Sequence, residues 1–118
     1  MITQDQADKF AKEWIAAWNE RNLDLILDHY TSDFELTSPL IVQLTGDSSG
    51  TLKGKSIIKM YFLSGIARFP DAHFELVEVL AGVNSIVIYY KAMMGKRAAE
   101  MCIFDSDGKI MKSMVHYR

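Results

Sequence analysis

The chain has 118 residues and a formal net charge of −2 at pH 7, with 49% hydrophobic and 24% charged residues. That length suits one domain, and the composition excludes a disordered or collagen-like chain. The acidic balance, with no Lys/Arg cluster against it, argues against nucleic acid as a partner. The single cysteine, Cys102, excludes an internal disulfide framework, and Met1–Thr3 does not lead into an apolar signal segment, so a cytoplasmic address is expected. No apolar run approaches the ~20 residues that cross a bilayer, so no membrane partner is expected.

Thr3 followed by Gln6 has capping-box spacing and predicts a helix to about Asn19, with Ala7, Phe10, Ala11, Trp14 and Trp18 on its apolar stripe. Asn22 is placed to cap a short second helix that buries Leu23, Ile26, Leu27 and Tyr30. Phe34–Ser38 reads as a brief strand stopped by Pro39, and Thr45–Gly50 as a mobile loop. Ser56–Arg68 reads as a third helix, covered on several sides because its apolar residues surround most of the circumference. Beyond Pro70 the period changes to alternation, and Gly82, Gly95 and Gly108 mark turns between four strands, near His73–Leu80, Ser85–Met93, Arg97–Phe104 and Ile110–Tyr117. Short connections favour an antiparallel meander, and the fold class is α+β.

An even-length turn at Asp105–Gly108 sets Glu100 opposite Ser113 and Cys102 opposite Met111. One face then carries Ala98, Glu100, Cys102 and Phe104 beside Met111, Ser113, Val115 and Tyr117. A two-residue turn near Gly95 adds Val87, Tyr89, Lys91 and Met93 to that face, and puts Ile86, Ile88 and Tyr90 with Met101, Ile103 and Met114 on the other. Both faces are too apolar for water on one side. Three helices cover one face, so a homodimer through the face bearing Ile86, Ile88, Tyr90, Met101, Ile103 and Met114 is expected.

The chain resembles, over its whole length, the nuclear transport factor 2-like superfamily, which includes ketosteroid isomerases and SnoaL-like polyketide cyclases. The residues that carry the resemblance are Trp14-Ile15-Ala16-Ala17-Trp18-Asn19, Asn22-Leu23-Asp24, His29-Tyr30, the strand Glu35–Pro39, Lys53-Gly54-Lys55-Ser56, Phe69-Pro70-Asp71 and Gly108-Lys109-Ile110. Their order and spacing are the signal. The resemblance implies a cone-shaped, strongly curved and mainly antiparallel sheet, with the three helices in its concave side and a pocket in the cone. Matching to ketosteroid isomerases puts the base position on Ser38, the tyrosine position on Trp14 and the acid position on Glu100. Only the acid survives, so isomerisation by that family's usual mechanism is not expected.

Glu100 is therefore the candidate acid/base, aimed at the interior both by the facing arithmetic and by the resemblance. An ion pair with Lys91 is the structural alternative. Trp14, Trp18, Tyr61, Tyr89 and Tyr117 are candidate walls of a pocket, with Ser38, Lys91, Cys102 and Ser113 beside them, although aromatic stripes at helical spacing are ordinarily core. His29, His73 and His116 show no metal-ligand spacing, and neither metal nor cofactor is expected. Two functions remain open: a lyase, isomerase or cyclase acting on a small hydrophobic molecule through Glu100, or a non-catalytic binding or dimerisation module. A cavity of several hundred Å³ favours the first and a filled cone the second.

Overall fold

The computed structural model describes residues 1–118, and helix α1 (Gln4–Asn19) begins at the expected capping box. The Gln6 amide donates to Thr3 Oγ1 at 3.1 Å, and the Gln6 side chain accepts from the Thr3 amide at 2.9 Å. Asn22 caps α2 (Leu23–Leu27) through the Leu25 amide. Strand β1 (Tyr30–Thr37) starts four residues earlier than its apolar pattern suggested, with Tyr30 as its first residue.

A helix fills the stretch that the sequence reading left unassigned between the strand stop at Pro39 and the loop from Thr45. Ser38 caps α3 (Pro39–Thr45), its hydroxyl accepting from the Leu40 amide, and Pro39 occupies the first turn, where its missing N–H costs nothing. The following loop is tied rather than free. Asp47 accepts from the Ser49 amide, and the Ser38 amide donates to the Gly50 carbonyl at 2.9 Å. Gly50 has φ +61°, and a Cβ there would stand 2.8 Å from Val42 Cγ2, so this close approach requires glycine. A short strand β2 (Thr51–Lys53) then pairs with β1, and α4 (Lys55–Arg68) follows. That helix buries Ile58 and Phe62 but exposes Ile57, Met60 and Leu63, so it is covered on one side only.

The meander is as expected: β3 (Glu75–Ala81), β4 (Ser85–Lys91), β5 (Arg97–Phe104) and β6 (Ile110–Tyr117) pair antiparallel in sequence. Strand β1 pairs with β6 in parallel, giving one six-stranded sheet in the order β2-β1-β6-β5-β4-β3. The sheet is curved and open, since β2 and β3 stay unpaired edges rather than closing a barrel. Irregularities in three of the strand pairings bend it around the helices.

Side-chain facing corrects the sequence reading on β4. Five residues, Ala92–Lys96, join β4 to β5 around a 3-10 turn at Met93–Gly95, with Met94 at φ 56°. An odd connection reverses the parity of a two-residue turn, so Ile88 and not Val87 or Tyr89 faces Glu100. Ile86, Ile88 and Tyr90 consequently lie buried under the helices, not on a dimer face. Tyr89 and Lys91 point outward: the Tyr89 hydroxyl accepts from Arg97, and Lys91 Nζ lies 3.5 Å from the Glu75 carboxylate. There is no Lys91–Glu100 pair. The connection after β5 is odd as well, but a register shift beyond Phe104 restores the parity. Glu100 therefore shares its face with Ser113, Val115 and Tyr117 as expected, although its direct partner is Val115, and Cys102 stands opposite Ser113. Met111 is extruded to the surface and Ile110 is buried in its place.

The facing is testable by stability. Ile88→Ala should cost about 2–5 kcal/mol in urea unfolding, whereas Lys91→Ala should stay within about 0.5 kcal/mol. A core-sized loss at Lys91 would restore the facing that the turn arithmetic suggested.

Candidate functional site

Alternation along β5 buries Ala98, Glu100 and Cys102 and leaves Ala99, Met101 and Ile103 half-exposed. Glu100 is thus carried to the concave face, where it is only 4% exposed. A buried carboxylate needs hydrogen bonds or a counter-charge, and here the neighbouring strands supply hydroxyls. Tyr90 on β4 donates to Oε1 at 3.0 Å, and Ser113 on β6 donates to Oε2 at 2.8 Å. No cation pairs with it. Burial pushes the Glu100 carboxyl above its ordinary 4.5, and the bonds from Ser113 and Tyr90 oppose the shift without cancelling it.

Aromatic side chains from α1, β1 and α4 wall this group in. The Trp14 indole donates to the Tyr30 hydroxyl at 3.0 Å and meets the Tyr90 ring at a centroid distance of 5.4 Å, edge to face. Trp18 packs edge to face on Phe62 at 4.7 Å, and its buried Nε1 has no acceptor. Burial first, and the Glu100 charge next, push the Tyr30 and Tyr90 hydroxyls well above the usual phenol range, so both remain neutral.

Glu100 reaches a cavity of about 120 Å³ that opens between α3, α4 and the β4–β5 connection. Of the residues singled out from the sequence, Trp14, Trp18, Ser38, Tyr61 and Tyr117 line it, together with Leu40, Leu44, Phe69 and Met93. The volume falls below the ~300 Å³ at which drug-sized sites begin and is close to the ~150 Å³ that holds a benzene ring. The cone is neither filled nor several hundred Å³. Cys102 and Ser113 stand behind Glu100 rather than on the cavity wall, with Cys102 Sγ 3.9 Å from Ser113 Oγ. Burial, and then the Glu100 charge, push the Cys102 thiol up, which leaves it unreactive.

Tyr90 is the site residue that the sequence reading missed. The signal that could have found it was the odd count of residues between Lys91 and Arg97. Of the histidines, His116 is on the outer face against the Ala99 carbonyl, and His29 packs against Phe10, so neither reaches Glu100. No group of three or more His, Cys, Asp or Glu is arranged to hold a metal ion, and no helix is long and apolar enough to cross a membrane.

Because the folded-state pKa of Glu100 is raised, its contribution to stability is complete below the unfolded value and is lost as pH rises through the folded one. Glu100→Gln removes this dependence. The melting temperature of the variant relative to wild type should therefore climb between pH 4 and pH 8. A relative gain that grows instead towards acid pH would show a carboxyl held down, not up.

Residues 11–111 match the SnoaL-like domain family. A SnoaL-like protein of unknown function from Burkholderia thailandensis is 44% identical, covers 99% of this chain with 98% of its own, and superposes with a TM-score of 0.96. At 18% identity, the epoxide hydrolase/cyclase-like enzyme SalBIII, described in pyran ring formation in the polyether salinomycin, aligns over 100% of this chain and 95% of its own with a TM-score of 0.76. A protein of unknown function with a cystatin-like fold from Methylobium petroleophilum, 14% identical, aligns over 98% of this chain and 78% of its own with a TM-score of 0.77. The two latter likenesses show the fold alone. No curated protein matches the chain in sequence. With the family match spanning most of its length and the Burkholderia protein sharing nearly its whole backbone, the chain belongs to the SnoaL-like family.

Proposed function

We propose that the protein is a small-molecule lyase, isomerase or cyclase whose proton-transfer group is Glu100. The observation that carries this reading is a carboxyl at the inner end of an apolar cavity, without a counter-ion and with its pKa raised. A carboxyl tuned upward is a better proton donor near neutral pH than an ordinary one, and efficient general acids have pKa values near the working pH. Trp14, Trp18, Phe62 and Tyr61 offer flat apolar walls, so the substrate is a compact hydrophobic ring or short chain. SalBIII, described as epoxide hydrolase/cyclase-like, shares this fold, which is a fold-level analogy in favour of small-molecule chemistry.

The second reading, a binding module without chemistry, draws on the modest cavity and on the absence of a second acid or base beside Glu100. Incubation with a panel of small cyclic ketones, lactones and epoxides, followed by NMR in D2O, separates the two. Wild type should convert or deuterate at least one compound, and Glu100→Gln should slow this by about 10²-fold or more. Where the acid form is required, the rate should decline as pH rises through the raised Glu100 pKa. No turnover by wild type would leave the binding module, and equal turnover by both proteins would remove Glu100 from the chemistry.

The reading includes a homodimer through the outer sheet face, now centred on Val87, Tyr89, Met101, Ile103 and Met114. These half-exposed residues lie on three adjacent strands, with Lys112, Glu35 and Arg97 around them to pair across a two-fold axis. Light scattering at micromolar concentration should give about twice 13.4 kDa, falling to the single-chain mass in Met101→Asp. A wild-type mass of one chain would overturn it.

A further inference from the structure

We infer that Ser38, Tyr61 and Tyr117 form a subsite for an uncharged acceptor oxygen, the carbonyl of a small flat ketone or ester. The inference rests on the proposal that the cavity takes a small apolar molecule, and it names the polar group that molecule carries. Three separate elements bring the hydroxyls together: the cap of α3, the middle of α4 and the end of β6. All three residues line the cavity, and the Ser38 side chain faces both tyrosine hydroxyls.

The donor and acceptor inventory of the cavity is unbalanced. Ser38 Oγ already accepts from the Leu40 amide. Both Glu100 oxygens accept, from Tyr90 and Ser113, and the Asn19 side chain is spent on the backbone of Phe74 in both directions. No acceptor is fixed for the hydroxyl protons of Tyr61 and Tyr117: Ser38 Oγ, which both face, keeps one lone pair beyond the Leu40 amide and can accept from only one of them, while the buried Trp18 Nε1–H has no acceptor. A carbonyl oxygen has two lone pairs and no proton, and so complements two converging phenols. A carboxylate or phosphate does not fit as well, because the Glu100 charge reaches both phenols and outweighs the opposing Arg68 charge at Tyr61, so it would repel a second anion placed there. A hydroxyl ligand would bring a further donor where donors are already in excess. Burial keeps both phenols neutral, so they stay donors across the working pH range.

Acetophenone and α-methylstyrene test this directly, because they share shape and differ only in C=O against C=CH2. Titration calorimetry or ligand-observed NMR should show wild type preferring acetophenone by about 10-fold. Tyr61→Phe and Tyr117→Phe should each reduce that preference by roughly 2- to 5-fold, through the acetophenone affinity alone. The carbonyl carbon of 13C-labelled acetophenone should shift downfield on binding wild type, which reports the hydrogen bond without any variant. Equal binding of the two probes, or an unshifted carbonyl, overturns the subsite and leaves the apolar cavity in place. Binding of neither probe overturns both the subsite and the small-molecule reading beneath it.

Discussion

A carboxylate enclosed by protein without a cation survives only if neighbouring groups supply the hydrogen bonds that water would have made, and the interior of this domain is arranged around that requirement. Glu100 draws one donor from each adjacent strand, Tyr90 and Ser113. Loss of either would leave a buried charge short of a partner, at a cost of the order of 1–3 kcal/mol or more. Hydroxyl donors hold the group in place yet favour its charged form less than a lysine or arginine would. That balance leaves burial dominant and the acid tuned upward.

The aromatic wall makes the arrangement rigid. Trp14 touches two phenols at the polar centre, donating to Tyr30 and packing its ring against Tyr90, the donor to Glu100. Trp18 and Phe74 extend the contact towards α4 and β3, while Phe34 lies 4.3 Å from Tyr30 between ring centroids. Edge-to-face and tilted pairs of this kind add to the stabilisation that area burial supplies, and each ring fixes the next. Trp14 is consequently a buttress that orients a phenol. Its hydrogen leads to Tyr30 and stops there.

Loop α3–β2 has a comparable positioning role at the other end of the cavity. Gly50 accepts from the Ser38 amide in a left-handed conformation that packs it against Val42, where a Cβ would crowd, and Ser38 in turn starts α3. The stretch that composition marks as a mobile flap thus sets one of the three hydroxyls that face the cavity. Helix α3 leaves Val42 and Leu44 exposed, as α4 leaves Ile57, Met60 and Leu63.

The sequence by itself determined the elements whose signals are local: the capping box that starts α1, the Asn22 cap, the antiparallel meander, and the inward aim of Glu100, Trp14, Trp18, Ser38, Tyr61 and Tyr117. The order and spacing of its motifs also carried the family. A Ser-Pro step, which favours a helix start as much as a strand end, concealed α3, although cap chemistry could have found it. Only the tertiary structure decided which face β4 presents. Side-chain direction alternates with every residue, so one residue of loop length turns Tyr90 inward and Lys91 out, and no local preference fixes that count. After β5 an equally odd connection was offset by a register shift, which extrudes Met111 and preserves the facing of Ser113 and Tyr117. The burial of Glu100 was therefore legible from alternation and resemblance, whereas its Tyr90 partner and its lack of a counter-ion depended on how the odd connection after β4 closed.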